Sequence, residues 1–186
     1  MSREINADTS LELAPFASEA EFEEACTRLV KETGALLTAI GAHAAAAESL
    51  TGGLISSEIV RVAGSSRWFK EGCVTYTDGA KASRLGVDVS TLAEHTAVSS
   101  QVAKQMAEGM LVSSGADIAV SATGLAGPGA DELGREPGLV FIGGACKNGC
   151  VSVKYNFEGC RTQVRQQAAY AALHLMRSLA RLIAEG

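Results

Sequence analysis

The ten residues from Ala44 to Gly53, AAAAESLTGG, constrain this chain more than any other stretch. An apolar run stops at Glu48, a hydroxyl follows at Ser49, and Thr51-Gly52-Gly53 opens an amphipathic segment. That order predicts a buried strand over residues 42–47, a tight turn, and a helix over residues 53–62. The first N–H groups of such a helix lack intrahelical partners and carry the positive end of its dipole. The turn would therefore set the Ser49 hydroxyl beside ready anion donors, a place for a nucleophile or a bound phosphate. A plain helix cap at Ser49 or Thr51 fits the same residues, since both types are preferred there.

The rest of the chain supplies the frame for that turn. Residues 1–17 are polar and aperiodic, which predicts a mobile arm. Ser18-Glu19-Ala20-Glu21 has the form of a capping box, and apolar residues then recur at helical spacing up to Gly41. Gly72–Thr77 predicts a strand, with Asp78 capping a short helix that carries Lys81 and Leu85. A helix over residues 99–114 and a strand over 117–123 follow. Residues 139–146 and 151–157, joined through Asn148-Gly149, carry a strong hairpin signal. Residues 161–184 make a long amphipathic helix. Strand–helix alternation followed by a hairpin predicts an α/β fold: a three-layer α/β/α sandwich with a mixed, partly parallel sheet and a C-terminal antiparallel hairpin. With no internal repeat and no linker, residues 18–186 read as one domain, a size near the usual range of about 100–200 residues.

Composition removes several function classes. A net charge of −5 disfavours a nucleic-acid binder, whose footprint is a basic face. No apolar run approaches the roughly 20 residues that span a bilayer, and MSREINADTS lacks a signal-peptide pattern. Five scattered cysteines fit reduced thiols in a cytoplasmic protein, and Cys146 and Cys150 lack the second ligand pair of a zinc site. The expectation is a cytoplasmic protein with a small-molecule partner, neither nucleic acid nor membrane, and no metal.

In parallel sheets, ligands sit beyond the carboxyl ends of the strands. The Ser49 turn, Tyr76-Thr77 and Thr123-Gly124 would share that rim. The patternless connection over residues 124–138 is long enough to be a lid or binding loop. Serine needs an adjacent base. None of His43, His95 and His174 reads as that base. Lys81 can serve if desolvation lowers its pKa, with Tyr76 as a proton relay. A solvated lysine and a core tyrosine fit the spacing as well. Arg161 and Arg165, four apart at the start of the last helix, share one face where an anion would offset their conflict with the dipole.

Seven motifs extend these candidates: Glu48-Ser49-Leu50-Thr51-Gly52-Gly53, Gly64-Ser65-Ser66, Tyr76-Thr77-Asp78-Gly79-Ala80-Lys81, Leu85-Gly86-Val87, His95-Thr96-Ala97-Val98-Ser99, Thr123-Gly124-Leu125-Ala126-Gly127-Pro128 and Gly159-Cys160-Arg161 with Val164-Arg165. In this order and spacing they resemble the CinA C-terminal domain family over roughly residues 20 to 184. The chain looks like the stand-alone form, without the additional N-terminal domain of the larger CinA proteins. Active members deamidate nicotinamide mononucleotide, giving nicotinate mononucleotide and ammonia. The resemblance maps a catalytic serine, lysine and tyrosine to Ser49, Lys81 and Tyr76. In that scheme Ser49 attacks the carboxamide carbon, Lys81 and Tyr76 handle protons, and water cleaves the acyl-enzyme with no cofactor. From the turn itself, Thr51, Gly52 and Gly53 are candidate oxyanion donors, and Thr123, Gly124, Arg161 and Arg165 complete the expected substrate site.

This chain departs from the family pattern at Leu50, where Cys is usual, and at Thr77-Asp78, where Ser-Asn is usual. It departs again at Glu136-Pro137-Gly138-Leu139-Val140, where Lys-Pro-Val-Gly-Thr-Val is usual. Because that loop should border the ligand, a nucleotide-binding relative without turnover stands as the alternative reading, with an amidase for another carboxamide behind it. Ala-rich helices with apolar faces to spare, and the family's habit, predict a homo-oligomer.

Overall fold

The computed structural model describes residues 3–185; Met1, Ser2 and Gly186 lie outside the described residues. Its centre is a five-stranded sheet in the order β2-β1-β3-β4-β5. Strand β1 (Ala44–Glu48) lies between β2 (Phe69–Val74) and β3 (Ile118–Gly124), parallel to both. Strands β4 (Leu139–Cys146) and β5 (Gly149–Asn156) continue from β3 in antiparallel register. The mixed sheet and its terminal hairpin are those expected from the sequence.

Six helices cover the two faces: α1 (Glu19–Ile40), α2 (Leu54–Arg61), α3 (Asp78–Leu85), α4 (Val89–His95), α5 (Ser100–Ser114) and α6 (Arg161–Glu185). Alternation along β1 assigns the faces. Ala44 and Ala46 pack with α1, α2 and α6, while Ala45 and Ala47 pack with α3, α4 and α5. Alanine is a weak strand former. Here β1 is fully buried on both faces, and its small side chains let two helical layers close over the sheet. The layers approach closely elsewhere too: a Cβ on Gly109 of α5 would sit 1.8 Å from the Leu85 carbonyl oxygen.

Local signals explain most boundaries. The Ser18 hydroxyl accepts from Glu21 N–H at 3.2 Å, and Glu21 returns a carboxylate oxygen to Ala17 N–H at 2.7 Å. Gly41 ends α1 in the left-handed conformation. Gly34 inside α1 makes room for Trp68, whose indole nitrogen would lie 2.5 Å from an added Cβ.

Several boundaries differ from expectation. Strand β1 covers 44–48 rather than 42–47. The hairpin turn falls at Lys147-Asn148, with Cys146 opposite Gly149. Strand β2 covers 69–74 rather than 72–77, because the last ladder bond runs from Thr75 N–H to the Glu48 carbonyl and the next carbonyls turn to Lys81. Thr77, not Asp78, caps α3, its hydroxyl accepting from Ala80 N–H at 3.2 Å. The short helix α4 occupies what the sequence presented as a connector.

Residues 3–17, expected as an arm, run against the domain. Glu4 bridges to Cys150 on β5 in parallel, Ile5 and Ala7 are buried, and the Ser178 hydroxyl of α6 donates to the Asp8 carbonyl at 2.7 Å. Phe16 packs edge-on to Phe22 and Tyr170.

Candidate active site

Ser49 follows the last residue of β1, and its N–H donates to the Ala122 carbonyl of β3 at 2.9 Å. That bond fixes the serine at the carboxyl edge of the sheet, where it is 8% exposed. Lys81, one turn into α3, is only 1% exposed. Its Nζ lies 3.2 Å from Ser49 Oγ, 3.0 Å from the Thr75 carbonyl oxygen and 3.5 Å from that of Tyr76. The segment between β2 and α3 thus spends its carbonyls on the lysine.

This environment disfavours the ammonium form. Burial lowers the Lys81 pKa from the ordinary lysine value, opposed by the weaker pull of the Asp78 carboxylate. A neutral amine has two N–H donors and one lone pair, whereas an ammonium has only donors. Two carbonyls and one hydroxyl around Nζ match the neutral inventory: two bonds given and one received from Ser49 O–H.

Glu48 is the residue that sequence reasoning passed over. It is completely buried, and its carboxylate accepts four hydrogen bonds: from Gly53 N–H at 2.9 Å, Ile55 N–H at 3.1 Å, Ser56 N–H at 2.9 Å and the Ser56 hydroxyl at 2.7 Å. The start of α2 is therefore filled by a side chain from the preceding strand. This corrects the expectation that the first N–H groups of α2 stand free beside Ser49. Gly52 N–H donates to the Ser49 carbonyl at 3.1 Å and Leu54 N–H to the Thr51 carbonyl at 3.3 Å. Leu50 and Thr51 N–H are left as the donors of this turn without an acceptor among the described residues.

The remaining expected site residues divide into cleft and scaffold. Leu50, Tyr76, Arg161 and residues 124–131 line a cleft of about 210 Å³. Tyr76 lies beyond β2 with 61% of its surface exposed; its carbonyl faces Lys81 and its phenol oxygen accepts from Arg161 Nη2 at 3.4 Å. Arg161 Nη1 donates to the Gly127 carbonyl at 2.5 Å. Gly124 belongs to the cleft wall, at the end of β3.

Thr123 is buried, and its hydroxyl donates to the Ala97 carbonyl at 2.7 Å, tying β3 to the α4–α5 connection. Thr51 is also buried, with a hydroxyl that has no partner among the described residues. Gly52 and Gly53 hold positive φ values of 60° and 96°, as the tight entry to α2 requires. Arg165 does not reach the cleft with Arg161: its Nε donates to the Leu50 carbonyl at 3.1 Å and its Nη2 to the Thr51 carbonyl at 2.6 Å.

The loop over residues 125–138 has its own buckle. Arg135 pairs with Asp131 through Nε at 2.7 Å and Nη2 at 2.6 Å, and its Nη1 donates to the Thr96 hydroxyl and the Val98 carbonyl, each at 3.0 Å. The loop wall is thereby tied to the connection that also receives Thr123.

The histidines lie elsewhere. His43 pairs with Asp117 at the amino ends of β1 and β3. His174 is buried in α6, its pKa lowered first by burial and then by Arg177. A larger groove of about 470 Å³ between α1 and Trp68 contains Lys31 and Arg67 but no nucleophile–base pair. Among the described residues, no group of three or more His, Cys, Asp or Glu is arranged to hold a metal ion, and no helix is long and apolar enough to cross a membrane.

Comparison with known proteins places this arrangement. The CinA C-terminal domain matches residues 26–180. The chain is 47% identical over 152 residues to the nicotinamide-nucleotide amidohydrolase PncC of Enterobacter agglomerans, a match covering 81% of this chain and 93% of that protein. It is 40% identical over 158 residues to a CinA-like protein of Geobacter sp. (strain M21), covering 85% of this chain but only 36% of that longer protein. Among solved structures, a CinA superfamily protein of Klebsiella pneumoniae superposes with a TM-score of 0.81 at 30% identity, covering 84% of this chain and 98% of that one. The competence/damage inducible protein CihA of Agrobacterium tumefaciens superposes at 0.77 with 34% identity, covering 95% and 100%.

Proposed function

The chain belongs to the CinA C-terminal domain family, and from that membership we propose that it is an amidohydrolase converting nicotinamide mononucleotide and water to nicotinate mononucleotide and ammonia. The observation that carries the proposal is the 3.2 Å contact between Lys81 Nζ and Ser49 Oγ, made by a lysine whose burial favours the neutral amine.

In this reading Ser49 Oγ attacks the carboxamide carbon while Lys81 takes the hydroxyl proton. The negative charge that forms on the carboxamide oxygen falls to the Leu50 and Thr51 N–H groups, donors of a kind often worth about 3 kcal/mol each in the transition state. As the C–N bond breaks, Lys81 returns its proton to the departing nitrogen, which leaves as ammonia. Water then adds to the acyl-enzyme, Lys81 accepts its proton, and the Ser49–acyl bond breaks with that proton restored to Ser49 Oγ. Nothing in these steps requires a metal or organic cofactor. The phenol of Tyr76 makes no hydrogen bond to Ser49 or Lys81 among the described residues. Its part is at the cleft mouth, with Arg161 as the cation for the substrate phosphate. Asp131 also lines the cleft, but Arg135 neutralises it.

The same reading takes residues 18–186 as one catalytic domain of a cytoplasmic protein. It is taken as a homo-oligomer, supported by the exposed apolar side chains of Val60 and Val74. The test is release of ammonia and nicotinate mononucleotide from nicotinamide mononucleotide by the purified protein, beside Ser49→Ala. Turnover lost in the variant supports the reading. Calorimetric binding of the mononucleotide without turnover by the wild type replaces it with the non-catalytic alternative.

A further inference from the structure

The turn that carries Ser49 is held from two sides by opposite charges. Glu48, the residue before the serine, gathers the N–H groups of Gly53, Ile55 and Ser56. Arg165, 114 positions beyond Thr51, gathers the carbonyls of Leu50 and Thr51. Between these grips, every peptide from Leu50 to Gly53 has its carbonyl or N–H side fixed by Arg165, Glu48 or the Gly52-to-Ser49 bond.

Peptide planarity gives this a directional consequence. The N–H of a trans peptide points opposite to its carbonyl. By drawing the Leu50 carbonyl toward α6, Arg165 turns the Thr51 N–H to the far side. By drawing the Thr51 carbonyl, it sends the Gly52 N–H back onto the Ser49 carbonyl. Gly52 suits the fit: an added Cβ would stand 3.4 Å from Arg165 Nη2, at a φ of 60°.

We propose that Glu48 and Arg165 are positioning residues that clamp the Ser49–Gly53 turn, and that Arg165 acts on turnover through this turn rather than by binding substrate phosphate. The kinetic part rests on the amidohydrolase reading above; the structural part does not. A cation with two donors on backbone carbonyls has little left for a ligand. Arg161, with a single backbone bond and a place on the cleft wall, keeps the phosphate role.

The experiment compares wild type, Arg165→Gln, Arg165→Lys and Arg161→Gln on nicotinamide mononucleotide and on nicotinamide riboside, which lacks the phosphate. In parallel it follows amide hydrogen exchange over residues 49–56. For Arg165→Gln the expected result is a kcat about 10–100-fold lower with KM within about threefold, because small misplacements at a reacting centre cost rate rather than affinity. Exchange over the turn speeds up, Arg165→Lys falls between, and the riboside, where turned over, suffers the same kcat loss. Arg161→Gln raises KM for the mononucleotide and leaves exchange over the turn unchanged.

A KM rise for the mononucleotide alone in Arg165→Gln, with kcat and exchange unchanged, makes Arg165 a phosphate ligand and overturns the proposal. Unchanged exchange in both Arg165 variants overturns it as well. If wild type turns over neither substrate, the hydrolase reading fails, while the exchange measurement still decides the clamp. Should Arg165→Gln not fold, Arg165→Lys, which keeps a single donor, carries both readouts.

Discussion

Nζ of Lys81 lies 3.2 Å from Oγ of Ser49 although the two residues are 32 positions apart, and the amine reaches it from a helix that begins beyond the neighbouring strand. Parallel pairing of β1 with β2 makes this meeting possible, because both strands end on the same edge. If the pair forms the reacting centre, Ser49→Ala and Lys81→Met each lower kcat by about 1,000-fold or more, since groups that act as a unit are lost together. The double variant is then no slower than either single one. Additive losses, or a thermally stable Lys81→Met that retains activity, count against a shared proton transfer.

Burial of Lys81 fixes the sign of the pH dependence. The protonated amine cannot accept the serine proton, so kcat/KM rises with pH as Lys81 ionises. Desolvation places the midpoint of that limb below the ordinary lysine value of 10.5. Asp78 pulls the other way by stabilising the ammonium. Asp78→Asn therefore moves the ascending limb to lower pH, as a pH–rate profile of the two proteins will read. A limb that stays put, or moves up, separates the titration from Lys81.

Arg161 and Tyr76 meet at the cleft mouth with 3.4 Å between Nη2 and the phenol oxygen. With no carboxylate partner among its hydrogen bonds, the guanidinium is the cation of the cleft free to meet a phosphate. Arg161→Gln raises KM for nicotinamide mononucleotide by about 10-fold, a modest figure because an exposed charge is screened by water. The effect shrinks as salt is added. A KM that is unchanged and independent of ionic strength removes Arg161 from substrate binding.

Much of this arrangement was legible in the sequence, for reasons that differ by element. The hairpin and α6 have regular patterning, and the motif order tied Ser49 to Lys81 before any coordinate did. The alanine strand β1 was readable through the turn after it, since burial on both faces leaves no alternation to read. Strand β2 was misplaced because its apparent continuation, Thr75-Tyr76, turns its carbonyls to a lysine further along the chain. Arg165 looked like the twin of Arg161, yet one turn along α6 is enough to carry its guanidinium from the cleft to the carbonyls of Leu50 and Thr51. Glu48 looked like a polar stop to an apolar run. The available signal was the pair Gly52-Gly53: so short a turn folds the start of α2 back onto the residue before Ser49, and a carboxylate is the side chain that the helix end favours.

That placement makes Glu48 a strong test of how the site is held. Its charge is completely buried with no cation bonded to it, so the compensation comes from three backbone N–H groups, one hydroxyl and the positive end of α2. Glu48→Gln keeps the shape but replaces one acceptor oxygen by an NH₂ group, which must then face N–H donors. At least one oxygen's worth of bonds is lost, and buried donors without acceptors cost about 1–3 kcal/mol each. The expected loss is about 2–4 kcal/mol in urea denaturation, with a Tm lower by about 5–15 °C. Because the same bonds end at Gly53, Ile55 and Ser56, amide exchange at the start of α2 accelerates more than in the middle of α6. A Glu48→Gln protein as stable as wild type, with α2 equally protected, means that the helix end is held by packing of Ile55 and Ile59 and owes nothing to the carboxylate.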